Sequence, residues 1–303
     1  MHQIKKYLSV TIAACLVLLA LSACGTKEQT QTSDSDKPKA EPFEIAVIPA
    51  QTQGQMKEAM DKLQTLLQEK LAMPVSVKEY PDYNGVVEAM NFGHVDMAFF
   101  GPLTYVIAHH KSGAEAIITQ LVKGKPYYHS YIIAHKDSPW NSLDELLKES
   151  SKLSFAFGDP NSTSGSLVPG IELKNRGVYE TAEKHSFANL KFTGSHDVTA
   201  LAVQNKQVDA GAIDSAIYEG LVEQKKVDGS QIKVLWQSDK LFQYPWAVKK
   251  GTDPELVKKL QEAFVGITDE TILKGFAISG FAAASNADYE PIRLAAEKEG
   301  KLK

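Results

Sequence analysis

From Phe43 onward short apolar runs alternate with amphipathic stretches, and this alternation limits the possible folds more than any other feature of the chain. FEIAVIP (43–49) reads as a strand, after which Met56, Met60, Leu63, Leu67 and Leu71 recur at three- and four-residue spacing on one helix face. MPVSVKEY (73–80) returns as a strand and a helix is predicted over about 84–92. VDMAFF (95–100) is apolar enough for a strand covered on both faces. After a break marked by Asp137 and Pro139, LSFAF (153–157), LKF (190–192), VDAGAI (208–213) and IKVLW (232–236) are further strand candidates separated by helical segments. Strands alternating with helices predict α/β layers with mainly parallel sheets.

Within this pattern lies an internal echo. EAMNFGHVDMAFFG (88–101) and LAVQNKQVDAGAID (201–214) both run helix, polar turn, Val-Asp, buried strand and loop. The echo predicts two similar sheets, each delivering a strand end and a loop to a shared place. Past Tyr244-Pro245-Trp246, Asp253 and Pro254 supply a helix N-cap and first helical position, and this helix and the last one, about 286–299, are amphipathic. The arrangement is two α/β lobes whose C-terminal helices return to the first lobe, with a ligand beyond the carboxyl ends of the strands. The lobe boundaries read as 43–135 with 247–303 for lobe 1 and 136–246 for lobe 2.

The N-terminal segment is of another kind. Lys5 and Lys6 precede an apolar stretch from Tyr7 to Ala23 that ends in Leu21-Ser22-Ala23-Cys24-Gly25. A charged start, an apolar centre and small residues at the end mark a secretory signal, residues 1–23. Leu-x-Ala-Cys resembles the bacterial lipobox, whose cysteine carries lipid and becomes the mature N-terminus, here Cys24. Residues 24–42 then form a polar, Pro-containing tether with a reach of roughly 25 Å. The globular part is expected outside the cytoplasmic membrane and anchored to it. Cys15 leaves with the signal, so no disulfide supports the fold.

A net charge of −4, with no long basic run, offers nucleic acid no general attraction. The stretch GDPNSTSGS (158–166) crowds four hydroxyl residues behind a strand. It lacks the G-x-S-x-G spacing of a nucleophile elbow and the lysine and spacing of a P-loop. Two readings stay open: a hydroxyl-rich helix cap, or an anion seat in which Ser162, Thr163 and Ser164 and the first helical amides surround one point. Arg176 and Arg293 are the only arginines, so a small anion must be held mostly by dipoles and hydroxyls. His196, after Gly194-Ser195, opens a helix either as a cap or as a donor to the same anion. His109-His110 and His129/His135 lack a carboxylate or thiolate at ligand spacing, so neither a metal site nor a cofactor is read.

GDPNSTSG followed by LVPG, GSHD with ALAVQNKQVD, VLWQS and the Pro-Trp segment resemble the PhnD-type phosphonate- and phosphite-binding proteins of ABC transporters, over nearly the whole chain from Phe43. The resemblance implies a two-lobed α/β periplasmic-binding-protein-like fold of type II, with the ligand cleft between the lobes and closure by hinge motion. It assigns Ser162, Thr163 and Ser164 to the oxygen seat, Tyr83 and Tyr128 to phenols reaching it from the first lobe, and His196 to a donor from the second. Gly101-Pro102 would turn the chain at the cleft edge. Members that recognise an aminoethyl group carry carboxylates for its ammonium, where this chain has Ala216 and Tyr244, although Asp214 lies close. An ammonium left unpaired there costs several kcal/mol. Tyr244 and Trp246 suggest a tight, apolar end.

The resulting expectation is a monomeric, non-enzymatic, lipid-anchored receptor. It captures a small phosphorus oxyanion, methylphosphonate or phosphite, through Tyr83, Tyr128, Ser162, Thr163, Ser164, His196, Asp214 and Tyr244, and delivers it to an ABC permease. The alternatives are a binder of 2-aminoethylphosphonate, phosphate or a sulfonate, a sensor lipoprotein, and a secreted serine hydrolase.

Overall fold

The structure, a computed structural model, describes residues 41–51 and 55–302. The signal segment, Cys24 and the tether up to residue 40 lie outside the described residues. Among the described residues no helix is long and apolar enough to cross a membrane.

Lobe 1 opens with β1 (Phe43–Val47), α1 (Gln55–Leu71), β2 (Val75–Glu79), α2 (Tyr83–Asn91), β3 (Met97–Phe99), α3 (Pro102–Ser112) and β4 (Glu115–Leu121). The spacing of α1 does what it predicts: Met56, Met60, Leu63 and Leu67 are buried and Lys57, Glu58, Asp61 and Lys62 are exposed. The chain crosses through β5 (Tyr127–Tyr128) into lobe 2: β6 (Ser130–His135), α4 (Leu143–Leu147), β7 (Ser154–Phe157), a π-helical turn (Thr163–Leu167), α5 (Val168–Asn175), β8 (Asn189–Phe192), α6 (His196–Gln204), β9 (Ala210–Asp214), α7 (Ser215–Glu223) and β10 (Ile232–Gln237). It returns through β11 (Leu241–Phe242) to β12 (Pro245–Val248), α8 (Pro254–Val265), α9 (Glu270–Gly275), β13 (Gly280–Ala283) and α10 (Glu290–Lys298). As the sequence predicts, these last helices pack on lobe 1, with α8 and α9 against α1 and α10 against α3.

The sheets run β13-β4-β12-β3-β1-β2 in lobe 1 and β10-β6-β9-β7-β8 in lobe 2. Both are mixed rather than mainly parallel. The parallel pairs are β1 with β2 and β3, and β7 with β8 and β9. Strands entering or leaving through the crossings run the other way, as β12 does against β3 and β4 and β6 against β9 and β10. The crossings also fall earlier than the boundaries read from the sequence. Residues 130–135 are hydrogen-bonded into the lobe 2 sheet and Pro245–Val248 into that of lobe 1. An apolar run carries no mark of which sheet will pair with it, and the Asp137–Pro139 break falls after the first lobe 2 strand.

The two crossings meet as an antiparallel ribbon, with Leu241 opposite Tyr128 and Phe242 opposite Tyr127. The echo is also physical. Asp96 accepts the amide of Glu44 in β1 (2.9 Å) and Asp209 that of Ser154 in β7 (2.8 Å). Each Val-Asp therefore clips the start of the strand beside it, and each following strand leads into a helix that begins at the junction of the lobes.

Candidate functional site

Helix starts converge on this junction. Tyr83, Thr163 and His196 are each the first residue of a helical segment, α3 begins at Pro102, and Asp214 is the N-cap of α7. The first amides of a helix lack intrahelical partners and its dipole favours negative charge there, so the backbone gathers positive potential without a cationic side chain. Local sequence explains three of these starts: Asp82 accepts the Gly85 amide at 2.7 Å, Gly101-Pro102 opens α3 as expected, and Ser162 accepts the Gly165 amide at 3.0 Å.

All eight residues assigned from the sequence are brought together here and are buried. The cap reading holds for Ser162, whose oxygen serves Gly165. Thr163 ties the lobes, its hydroxyl oxygen accepting the Leu103 amide of α3 at 2.8 Å. Ser164 is different: its hydroxyl is buried and makes no hydrogen bond, and the same holds for the hydroxyls of Tyr83 and Tyr128. Ser162 faces the Tyr83 phenol, and Thr163 and Ser164 face that of Tyr128, yet these approaches stop short of hydrogen bonds for either phenol. Buried polar groups are nearly always paired, so a cluster of unpaired hydroxyls marks a place prepared for an external acceptor. Burial, followed by nearby carboxylates, holds both phenols well above the ordinary tyrosine range, so they remain donors.

Glycine makes the seat possible. A methyl at Gly165 would lie 2.9 Å from the Ser162 hydroxyl and 3.1 Å from both Gly158 Cα and His196 Cε1. The imidazole can therefore close over the turn only because residue 165 has no side chain.

His196 is held as a neutral donor. The Asp214 amide donates to Nδ1 at 3.2 Å, which leaves the proton on Nε2, 3.2 Å from the Tyr244 hydroxyl. Burial pushes the imidazole down to about 4. Asp214 Oδ1 caps α7 by accepting from Ala216 (2.7 Å) and Ile217 (3.0 Å), while Oδ2 is buried without a hydrogen bond. Burial raises this carboxyl to about 7; its two backbone donors, and the facing Tyr244 hydroxyl, oppose the rise. None of the eight residues is Lys or Arg, and both arginines are spent in surface ion pairs, Arg176 with Asp144 and Glu172, Arg293 with Glu290 and Glu297.

Beside the seat is a cavity of about 10 Å³ lined by Asp214, Ala216, Tyr244, Gln51, Gln120 and Gln243, among others. Sequence reasoning missed the three glutamines, because a Gln within an ordinary strand or loop carries no motif. Tyr128 belongs to the crossing ribbon rather than to the first lobe proper, and its ring packs edge-on against Tyr244 at 5.5 Å. Trp246 does not line the cavity: it is fully buried among Phe99, Phe264 and Phe276 in the lobe 1 core.

A two-lobed α/β chain that closes hydroxyls, phenols and helix starts around one enclosed point is a solute-binding protein of the periplasmic-binding type. Residues 45–289 match the model of the phosphonate periplasmic substrate-binding proteins of ABC transporters, and the chain belongs to that family. It is 30% identical to the phosphate-import protein PhnD of Mycolicibacterium smegmatis, over 97% of this chain and 96% of that one. It is 31% identical to the phosphonates-binding periplasmic protein of Escherichia coli, over 84% and 76% of the two chains. Among solved structures it resembles the binding protein component of a Pseudomonas aeruginosa ABC phosphonate transporter, with a TM-score of 0.77 and 29% identity, covering 86% of this chain and 87% of that one. The chain is thus a transport component and not an enzyme, which sets aside the serine hydrolase.

Proposed function

We propose that this chain is a lipid-anchored, extracytoplasmic receptor, acting as a monomer, that captures a small phosphorus oxyanion and hands it to a membrane permease. Methylphosphonate or phosphite is preferred over 2-aminoethylphosphonate. The observation that carries the proposal is the set of unpaired buried hydroxyls of Tyr83, Tyr128 and Ser164 at a junction of helix starts. Phosphoryl oxygens accept from these groups, from the Thr163 hydroxyl and from His196 Nε2, and the helix dipoles balance the charge. The preference for a small substituent is supported by Ala216 and Tyr244, which stand where the ammonium of an aminoethyl group would need carboxylates.

Binding draws Tyr83 and the rest of lobe 1 toward the 162–164 turn, a motion for which the ribbon between the lobes is the hinge. Calorimetry with methylphosphonate, phosphite, phosphate and 2-aminoethylphosphonate tests the reading; silence toward all four sinks it, and tightest binding of the aminoethyl compound overturns the substituent preference. The anchor is tested separately, since Cys24→Ser is expected to remove lipid from the N-terminus and release the protein from membranes.

A further inference from the structure

Two polar atoms lining the small cavity, Gln120 Nε2 and Asp214 Oδ2, are buried without a hydrogen bond. Gln120 lies near the end of β4, opposite Phe281 of β13, and its backbone amide donates to the Tyr244 carbonyl at 3.3 Å, which fixes it beside Tyr244. Its side chain is 3% exposed, lines the cavity, and keeps Nε2 buried without a hydrogen bond. Asp214 lines the same cavity, 1% exposed, with Oδ2 in the same state. A donor and an acceptor, carried by different lobes and both unpaired, thus face one space large enough for a single small group. Leaving either unpaired in the bound state is costly, and a methyl group placed there would do so for both.

We propose that Gln120 is a specificity-determining residue, which together with Asp214 reads one oxygen on the bound phosphorus and selects ligands that present a P–OH or P–O⁻ there over ligands that present carbon. The inference rests on the proposed phosphorus-oxyanion reading. The Gln120 amide donates to that oxygen, and one proton lies between the oxygen and Asp214, supplied by whichever partner carries it, so no charge is created or lost. Methylphosphonate, phosphite and phosphate all meet this requirement, with the remaining substituent turned elsewhere. A phosphinate, which has one oxygen fewer, does not.

The test compares methylphosphonate with dimethylphosphinate, in which a second methyl replaces one oxygen, by titration calorimetry of the full-length protein in detergent. Mildly acidic buffer keeps both ligands singly charged. The unsubstituted protein is expected to favour methylphosphonate by about a hundredfold or more, and Gln120→Leu to shrink that ratio about tenfold, mainly by weakening methylphosphonate. Because both affinities come from one preparation, partial misfolding cancels in the ratio, and Gln120→Met provides a second variant of similar length. Equal affinity of the unsubstituted protein for the two ligands, or an unchanged ratio in both variants, overturns the role of Gln120 while the oxyanion reading stands. Failure of methylphosphonate, phosphite and phosphate to bind at all removes both.

Discussion

Replacing Asp214 with Asn should change how the stability of the ligand-free protein depends on pH. The carboxyl is fully buried and raised from 3.8 to about 7, chiefly by burial. A folded-state pKa above the unfolded value means that the native protein binds the extra proton, so this group contributes stability that is fully present below about pH 4 and is lost as pH rises through 7. One pKa unit is about 1.4 kcal/mol, so between about pH 5 and 8 the loss amounts to roughly 2–3 kcal/mol. Asparagine retains an oxygen to cap Ala216 and Ile217 and cannot ionise, so the variant lacks this loss. Urea unfolding of both proteins across that range should show the Asn variant gaining on its parent by this amount as pH rises, most of it before pH 7. Other groups are common to both chains and cancel. A difference that stays flat from pH 5 to 8 would refute the claim that Asp214 is held as a strained, half-protonated carboxyl.

Other substitutions separate binding from folding. Tyr83→Phe and Tyr128→Phe each remove a hydroxyl that pairs with nothing in the protein, so melting temperature should hold or rise while ligand affinity falls about tenfold or more in calorimetry; loss of stability without loss of affinity would take the phenol out of the seat. Thr163→Ala should weaken binding by about 1.5–3 kcal/mol and strip the Leu103 amide of its partner across the cleft. Unchanged affinity would remove Thr163 from the seat. Gly165→Ala forces a methyl against Ser162, Gly158 and His196, and binding measured by tryptophan fluorescence should be lost even in preparations whose circular dichroism is native.

Much of this was legible in the sequence, for reasons that differ between elements. The face of α1, the Asp253 cap of α8 and the strand at 43–47 follow from spacing and residue type within a few positions, where local geometry decides. The 162–164 turn was legible as a motif, but whether it was a cap or a seat was not: Ser162 is a cap, while Ser164 is left unpaired, and only neighbours from other parts of the chain make that difference. Gln120 was invisible for the same reason, since a strand glutamine becomes chemically significant only when its amide is sealed in beside Asp214, 94 positions further along the chain. Trp246, read as a wall of the site, was drawn into the core by Phe99, Phe264 and Phe276, because its ring gains more from apolar contact than from the rim of a cleft.

The sequence by itself determined the alternation of strands and helices and the shortage of arginine that leaves an anion to dipoles and hydroxyls, and its family resemblance singled out eight polar residues that the fold buries at one junction. Tertiary structure alone decided which sheet claims 130–135 and 245–248, the antiparallel return through β12, and which of those polar atoms remain unsatisfied. Pairing and burial depend on groups far apart in the chain, and a buried hydroxyl or carboxyl acquires its function from what does not reach it.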